Sequence, residues 1–172
     1  MKNLSKIILA TSNYNNVKKG NTLSVTGDDG NAWGYFGASY KKLAPKLSTF
    51  LPYKEGLEKL SNIKNIEEYK ELRKEIEDKY IKSYYDTRLK NLNVKELLYI
   101  LKEKYGENII LMCHEEINEF CHRRLIADYI ELETGIYIPE ITMENNKVKK
   151  LIPIRYKKRL LDVINKNRWN YV

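Results

Sequence analysis

Cysteine is scarce in this chain, with two residues in 172. Two thiols in a chain of this size make no secreted disulfide framework, so reduced cysteines and a cytoplasmic protein are expected. Long apolar runs are missing too. Lys2 and Lys6 are followed only by residues 7–10 before polar residues resume, which fits no signal peptide. Nothing approaches the roughly 20 apolar residues of a membrane span, so no membrane partner is expected. The glycines within residues 21–40 do not follow a strand-to-helix phosphate loop, and no Lys-Ser or Lys-Thr stands in the needed place. Internal repeats and low-complexity segments are absent.

What is present describes a globular chain. Hydrophobic residues make up 42% and charged residues 31%. The length suits one domain with a proper core, and two would be cramped. Lys and Arg number 31 against 23 Asp and Glu, a formal net charge of +8. That excess steers anionic partners toward the chain but does not separate nucleic acid, nucleotides and plain solubility.

In chain order, the apolar run 6–11 predicts a first buried strand that ends in a polar loop. Open α/β sheets bind ligands beyond the carboxyl ends of their strands, which makes Ser12, Asn13 and Tyr14 candidate ligand contacts. Residues 23–25 suggest a strand. Trp33, Tyr35, Phe36 and Tyr40 read as core or rim aromatics that can also flank a ligand. Two prolines make 43–52 a connecting segment, followed by a short helix at 54–60. A long helix over 66–91 carries Tyr69, Leu72, Ile76, Tyr80 and Tyr84 on one packing stripe. Asn93 is placed to cap a third helix and Gly106 to end it. A fully apolar strand at 108–112, a helix at 118–134 closed by Gly135, and a last strand at 136–138 complete the alternation. Strands alternating with helices argue for an α/β domain with a mostly parallel sheet flanked by helices. The domain is expected over residues 1–142, with 143–172 a basic extension docked on it.

Both cysteines and both histidines fall between Cys113 and His122. Cys113 would lie at the carboxyl end of a central strand, where a doubly wound sheet opens its crevice. Cys121, His122 and Arg123 would fall near the first turn of the following helix, where backbone N–H groups and the dipole favour anions and lower a thiol's pKa. Four readings compete. A thiolate at Cys121 or Cys113 acts as nucleophile, with His122 or Glu115 moving protons and Arg123, reinforced by Arg124, holding an anion. Or the cysteines form a redox pair, spaced more widely than Cys-x-x-Cys. Or Cys113, Glu115, Cys121 and His122 hold zinc; consecutive helical residues point about 100° apart, so this needs irregular backbone. In the fourth, Cys121 is a small buried residue, and His122 and Arg123 merely cap and pair with Glu115 or Glu119. A phosphatase loop of the Cys-x5-Arg type is excluded, because position 119 is Glu.

Cys113-His114-Glu115 and Cys121-His122-Arg123, within LMCHEEINEFCHRRLIADYIELETGI, resemble the signature of the domain-of-unknown-function family numbered 488. The similarity extends more loosely upstream through LAPKLSTF and EEYKELRKEIEDKYIKSYY, covering about residues 43–139. It implies a compact cytosolic α/β domain with a Rossmann-like three-layer arrangement, found in bacteria and their mobile elements, with no activity assigned. It carries over Cys113, Glu115, Cys121, His122 and Arg123 as motif positions without roles. Residues 21–40 and those from Asn145 onward match nothing in it.

The leading expectation is therefore an enzyme or binding domain for a phosphorylated or otherwise anionic, nucleotide-like ligand at the cysteine turn, with no metal. No cofactor and no oligomeric state is specified. The alternative is a nucleic-acid-binding accessory protein. It would use the basic segment from Asn145, and the cysteine turn would be structural or zinc-stabilised.

Overall fold

The computed structural model describes residues 3–169. In chain order the regular elements are β1 (Ile8–Asn13), β2 (Thr22–Ser24), β3 (Ala38–Ser39), α1 (Leu47–Leu60), α2 (Ile66–Tyr84) and α3 (Val94–Tyr105). Then come β4 (Ile109–Cys113), α4 (His122–Thr134), β5 (Glu140–Glu144), β6 (Lys147–Leu151) and α5 (Lys157–Trp169). The strands form one sheet in the order β3-β2-β4-β1-β5-β6, parallel except for the antiparallel β5–β6 pair. This is the Rossmann-like α/β class with a mostly parallel sheet, as expected. Two compact units divide the chain. One is the segment up to Ala44 with Asn91–Lys157; the other is Pro45–Lys90 with the segment from Lys158.

The first unit holds the sheet. β4 is buried along its whole length, as a central parallel strand must be when both faces are covered. Its alternate residues Ile110 and Met112 join Ala10, Tyr14, Val17 and Ile141 in one apolar cluster. α4 packs on β1 and β4. Leu9, 44% exposed, sits where the β1–β4 register shifts between Ile8 and Ala10, so the bulge turns one leucine outward. The path from β1 to β2 crosses β4, and the path from β4 through α4 to β5 crosses β1. Adjacent carboxyl ends whose connections leave in opposite directions form the crevice where α/β sheets seat ligands.

In the second unit, Gly56 lets α1 approach α2 closely: a Cβ there would come within 2.8 Å of the Ile76 side chain. Tyr80 meets Tyr53 edge-on at 5.1 Å, and Thr49 and Ser83 share a hydrogen bond of 2.6 Å. Ile76, Tyr80 and Tyr84 are buried, so the tyrosine stripe is packing.

Several boundaries differ from the sequence reading, among them the start of α4, at His122 and not at 118. α1 begins at Leu47 and keeps Pro52 inside the helix, on its exposed face; Thr49, Gly56 and Leu60 supply the buried side. α2 ends at Tyr84 and passes into a π-helical turn over Tyr85–Leu89. β1 runs on to Asn13, because its pairing with β4 continues that far. Residues 136–138 are not a strand: the sheet begins with the Pro139 carbonyl, which accepts from the Thr11 N–H at 2.9 Å. β6 was not foreseen. Its hairpin turn, Asn145-Asn146, has both residues at positive φ (50° and 61°), the turn conformation that favours Asn and Gly.

Candidate functional site

Cys113 closes β4 opposite Asn13, the last residue of β1, at the crevice. The chain then loops through residues 114–120 and returns at Cys121, which is the N-cap of α4 and not part of its first turn. Its backbone is extended, with φ −150° and ψ 139°, and its sulfur accepts the Arg123 N–H at 3.4 Å. This is the irregular backbone that convergence requires. The Cys113 and Cys121 sulfurs touch, and with a ring nitrogen of His122 they form a group whose ligand atoms lie within 4.8 Å of one another.

Charged groups surround the sulfurs. Glu115 Oε2 accepts from Cys113 Sγ at 2.8 Å and from Cys121 Sγ at 3.2 Å. Arg123 Nη1 donates to the same two sulfurs at 3.0 and 3.3 Å and to the Glu115 carbonyl at 2.8 Å. Its Nε and Nη2 grip Glu140 at 3.0 and 2.8 Å, and Nη2 also reaches the Glu116 carbonyl. Arg123 is 1% exposed and Glu140 fully buried, so this guanidinium is turned inward. His122 is buried and its Nε2 lies 2.7 Å from the Val25 carbonyl oxygen. Burial depresses its pKa below the ordinary 6.5, against the pull of the Glu115 charge and the Val25 bond. A neutral imidazole with one nitrogen bound to a carbonyl has its tautomer fixed.

The other expected residues are placed as follows. Asn13 joins the turn: its Nδ2 donates to the Glu115 carbonyl at 3.2 Å, and its Oδ1 accepts the Asn15 and Asn16 N–H groups. Arg124 lies beside the cluster, donating to Thr11 Oγ1 at 2.8 Å and the Ile138 carbonyl at 2.9 Å. Its Nε and Nη2 find no hydrogen-bond partner among the described residues, although Asp128 stands 3.5 Å from Nη2. Burial lowers its pKa, partly opposed by Asp128 and Glu140. Ser12 is spent on the Ile141 carbonyl, and the Tyr14 hydroxyl on Ser24 and Thr26. The structure thus gathers Cys113, Glu115, Cys121, His122, Arg123 and Asn13, and leaves Ser12 and Tyr14 outside.

Three participants escaped the sequence reading. Glu140 neutralises Arg123 and also binds the Thr11 hydroxyl. His114 stacks on Trp33 at 5.3 Å and places Nε2 3.2 Å from Glu115 Oε1. Tyr156 accepts the Cys121 N–H at its hydroxyl (3.4 Å) and is pinned by its own N–H on Asp128 (2.5 Å). His114 stood in the motif itself. Arg155-Tyr156 offered only a charge in a basic run.

Residues 46–130 match the family model described as Domain of unknown function DUF488. The chain carries a DUF488 segment. No curated protein and no solved structure matches the chain. The DUF488 match contains the whole Cys113, Glu115, Cys121, His122 and Arg123 group, whereas Asn13, Glu140 and Tyr156 lie outside it.

Proposed function

We propose that the chain is a metal-binding α/β domain whose centre takes a divalent ion of zinc type through Cys113, Cys121 and His122, with Glu115 as the fourth donor. The convergence of two sulfurs and an imidazole nitrogen within 4.8 Å carries this reading. Thiolate, imidazole and carboxylate are the donors zinc prefers. The Cα atoms of the two cysteines stand 7.9 Å apart. Cysteines more than about 7 Å apart are not bridged without backbone movement, whereas two thiolates around an ion need no closer approach. The His122–Val25 hydrogen bond is the outer contact that orients a metal-ligating imidazole. Charge points the same way. Glu140 already balances Arg123, so a divalent ion that displaces the two thiol protons would offset the charge of both sulfurs and Glu115.

The test is metal analysis of protein purified under reducing conditions, followed by cobalt substitution. About one ion per chain and a thiolate-to-cobalt absorption band are expected. Cys113→Ser and Cys121→Ser lose both. Metal-free protein that also gives no cobalt band overturns the proposal.

A second reading is favoured by the Arg123 contact with both sulfurs, which stabilises thiolate. Here Cys121 or Cys113 is a nucleophile toward an anionic substrate, with His122 or Glu115 moving the proton. Alkylation of native protein separates the two readings. The metal site protects both thiols until a chelator is added, and the nucleophile reacts without one.

A further inference from the structure

Between β2 and β3 the chain makes a glycine-bracketed loop that the metal centre does not use. Gly30 (φ +78°) and Gly34 (φ +68°) flank a short 3-10 turn over Asn31–Trp33. A side chain at Gly30 is excluded twice, by its left-handed backbone and by the Tyr14 ring 2.8 Å from where a Cβ would stand. The loop anchors itself through Asp28, which accepts the Gly30 N–H at 2.9 Å and the Thr26 hydroxyl at 2.8 Å.

What this loop holds out is aromatic. Trp33 is 48% exposed and Phe36 93%. With Tyr14, Tyr35 and Lys18 they line a cavity of about 300 Å³, at the lower end of small-ligand sites. Tyr14 and Tyr35 pack at 5.0 Å, and both hydroxyls are already engaged, Tyr14 with Ser24 and Thr26, Tyr35 with Thr22 and the Ala38 carbonyl. Tyr14 is buried, so of the two it is the half-buried Tyr35 that offers ring surface, and neither offers a hydrogen bond. Lys18 is exposed and makes no ion pair among the described residues. Rings with one unspent cation at the rim suit a ligand that is flat at one end and negative at the other. Trp33 is stacked on His114, whose Nε2 lies 3.2 Å from Glu115, so the cavity lies two side chains from the sulfurs.

We propose that this pocket binds a nucleoside monophosphate, its base against the Trp33 and Phe36 rings and its phosphate on Lys18. Base stacking on aromatic side chains tolerates any base, so the class is assigned and not the base. The assignment is independent of the metal reading, whose metal count is made without nucleotide.

The chain has two tryptophans, and Trp169→Phe, at a position 77% exposed, leaves Trp33 as the sole tryptophan, read by excitation at the red edge where tyrosine does not absorb. Titration of that protein with adenosine monophosphate is expected to give a saturable change with a dissociation constant below about 1 mM. Phe36→Ala and Lys18→Ala alter exposed side chains and are expected to weaken binding by about tenfold each without unfolding the domain. Adenosine is expected to bind more weakly than its monophosphate. Absence of a saturable change, or unchanged affinity in Phe36→Ala, overturns the proposal. Adenosine binding as tightly as the monophosphate overturns the phosphate contact on Lys18.

Discussion

Glu140 anchors the cysteine turn from outside the motif, through Arg123. Arg123 is buried beneath the sulfurs, and Glu140 is the carboxylate within 2.8 Å of its guanidinium. Removing one partner of a buried ion pair strands the other charge in low dielectric. Glu140→Gln, nearly the same size, is expected to destabilise the domain by about 3–5 kcal/mol, read from urea denaturation. A loss within about 0.5 kcal/mol, the scatter of an ordinary surface change, would remove Glu140 from this role. The contrast between Glu140 and the cysteines shows what a sequence discloses. Cys113, Glu115, Cys121 and His122 were legible because they crowd into ten residues. Glu140 was not, because its partner lies 17 positions back on α4, and they meet only because β5 pairs with β1 and α4 packs on β1. The convergence of Cys121 with His122 was equally hidden. It depends on one residue being an extended N-cap, and a helix boundary misplaced by three or four residues erases it.

Elements with a local cause were read well, and those with a non-local cause were not. Asn93 caps α3 by accepting the Glu96 N–H, and Gly135 ends α4 in the left-handed conformation, both as their residue types foretold. Pro52 misled, since its ring sits on the exposed side of α1 while burial of Thr49, Gly56 and Leu60 holds the helix across it. The β5–β6 hairpin had a usable signal in Asn145-Asn146, hidden by the charge of the lysines that follow. That turn can be tested by itself. Asn146 holds φ 61°, which a β-branched residue resists, so Asn146→Val is expected to cost about 1–2 kcal/mol in thermal or urea unfolding. Asn146→Gly is expected to cost nothing. Equal stability of the two variants would mean that the hairpin contributes little.

Across the whole molecule, the net charge of +8 proves to be partly committed. Arg155 binds Asp128 and Glu131, Lys157 binds Glu131, and Arg159 binds Asp78 and Glu77. Among the described residues no helix is long and apolar enough to cross a membrane. Stability has an alkaline limit built in. Burial raises the Tyr14 and Tyr35 phenols above their ordinary value of 10.0, only partly offset by hydrogen bonds. A raised folded-state value means the folded protein holds these protons more tightly than the unfolded chain does. Their contribution is therefore whole below about pH 10 and is lost as pH climbs through the raised values. Tyr14→Phe is expected to cost about 1 kcal/mol at neutral pH and to flatten that alkaline loss, measured by denaturation across a pH series. An unchanged alkaline limb would assign the loss elsewhere. The lysines of β6 have a different meaning at this scale. The outer edge of a sheet is a template on which a strand from another molecule can grow, and β6 is such an edge, exposed and five residues long. Lys147, Lys149 and Lys150 force any second copy laid against it to bring like charges together, while the opposite edge, β3, is only two residues long. The same lysines that would offer a nucleic acid its phosphate contacts thus also set like charge along an open sheet edge, where it opposes stacking into fibrils.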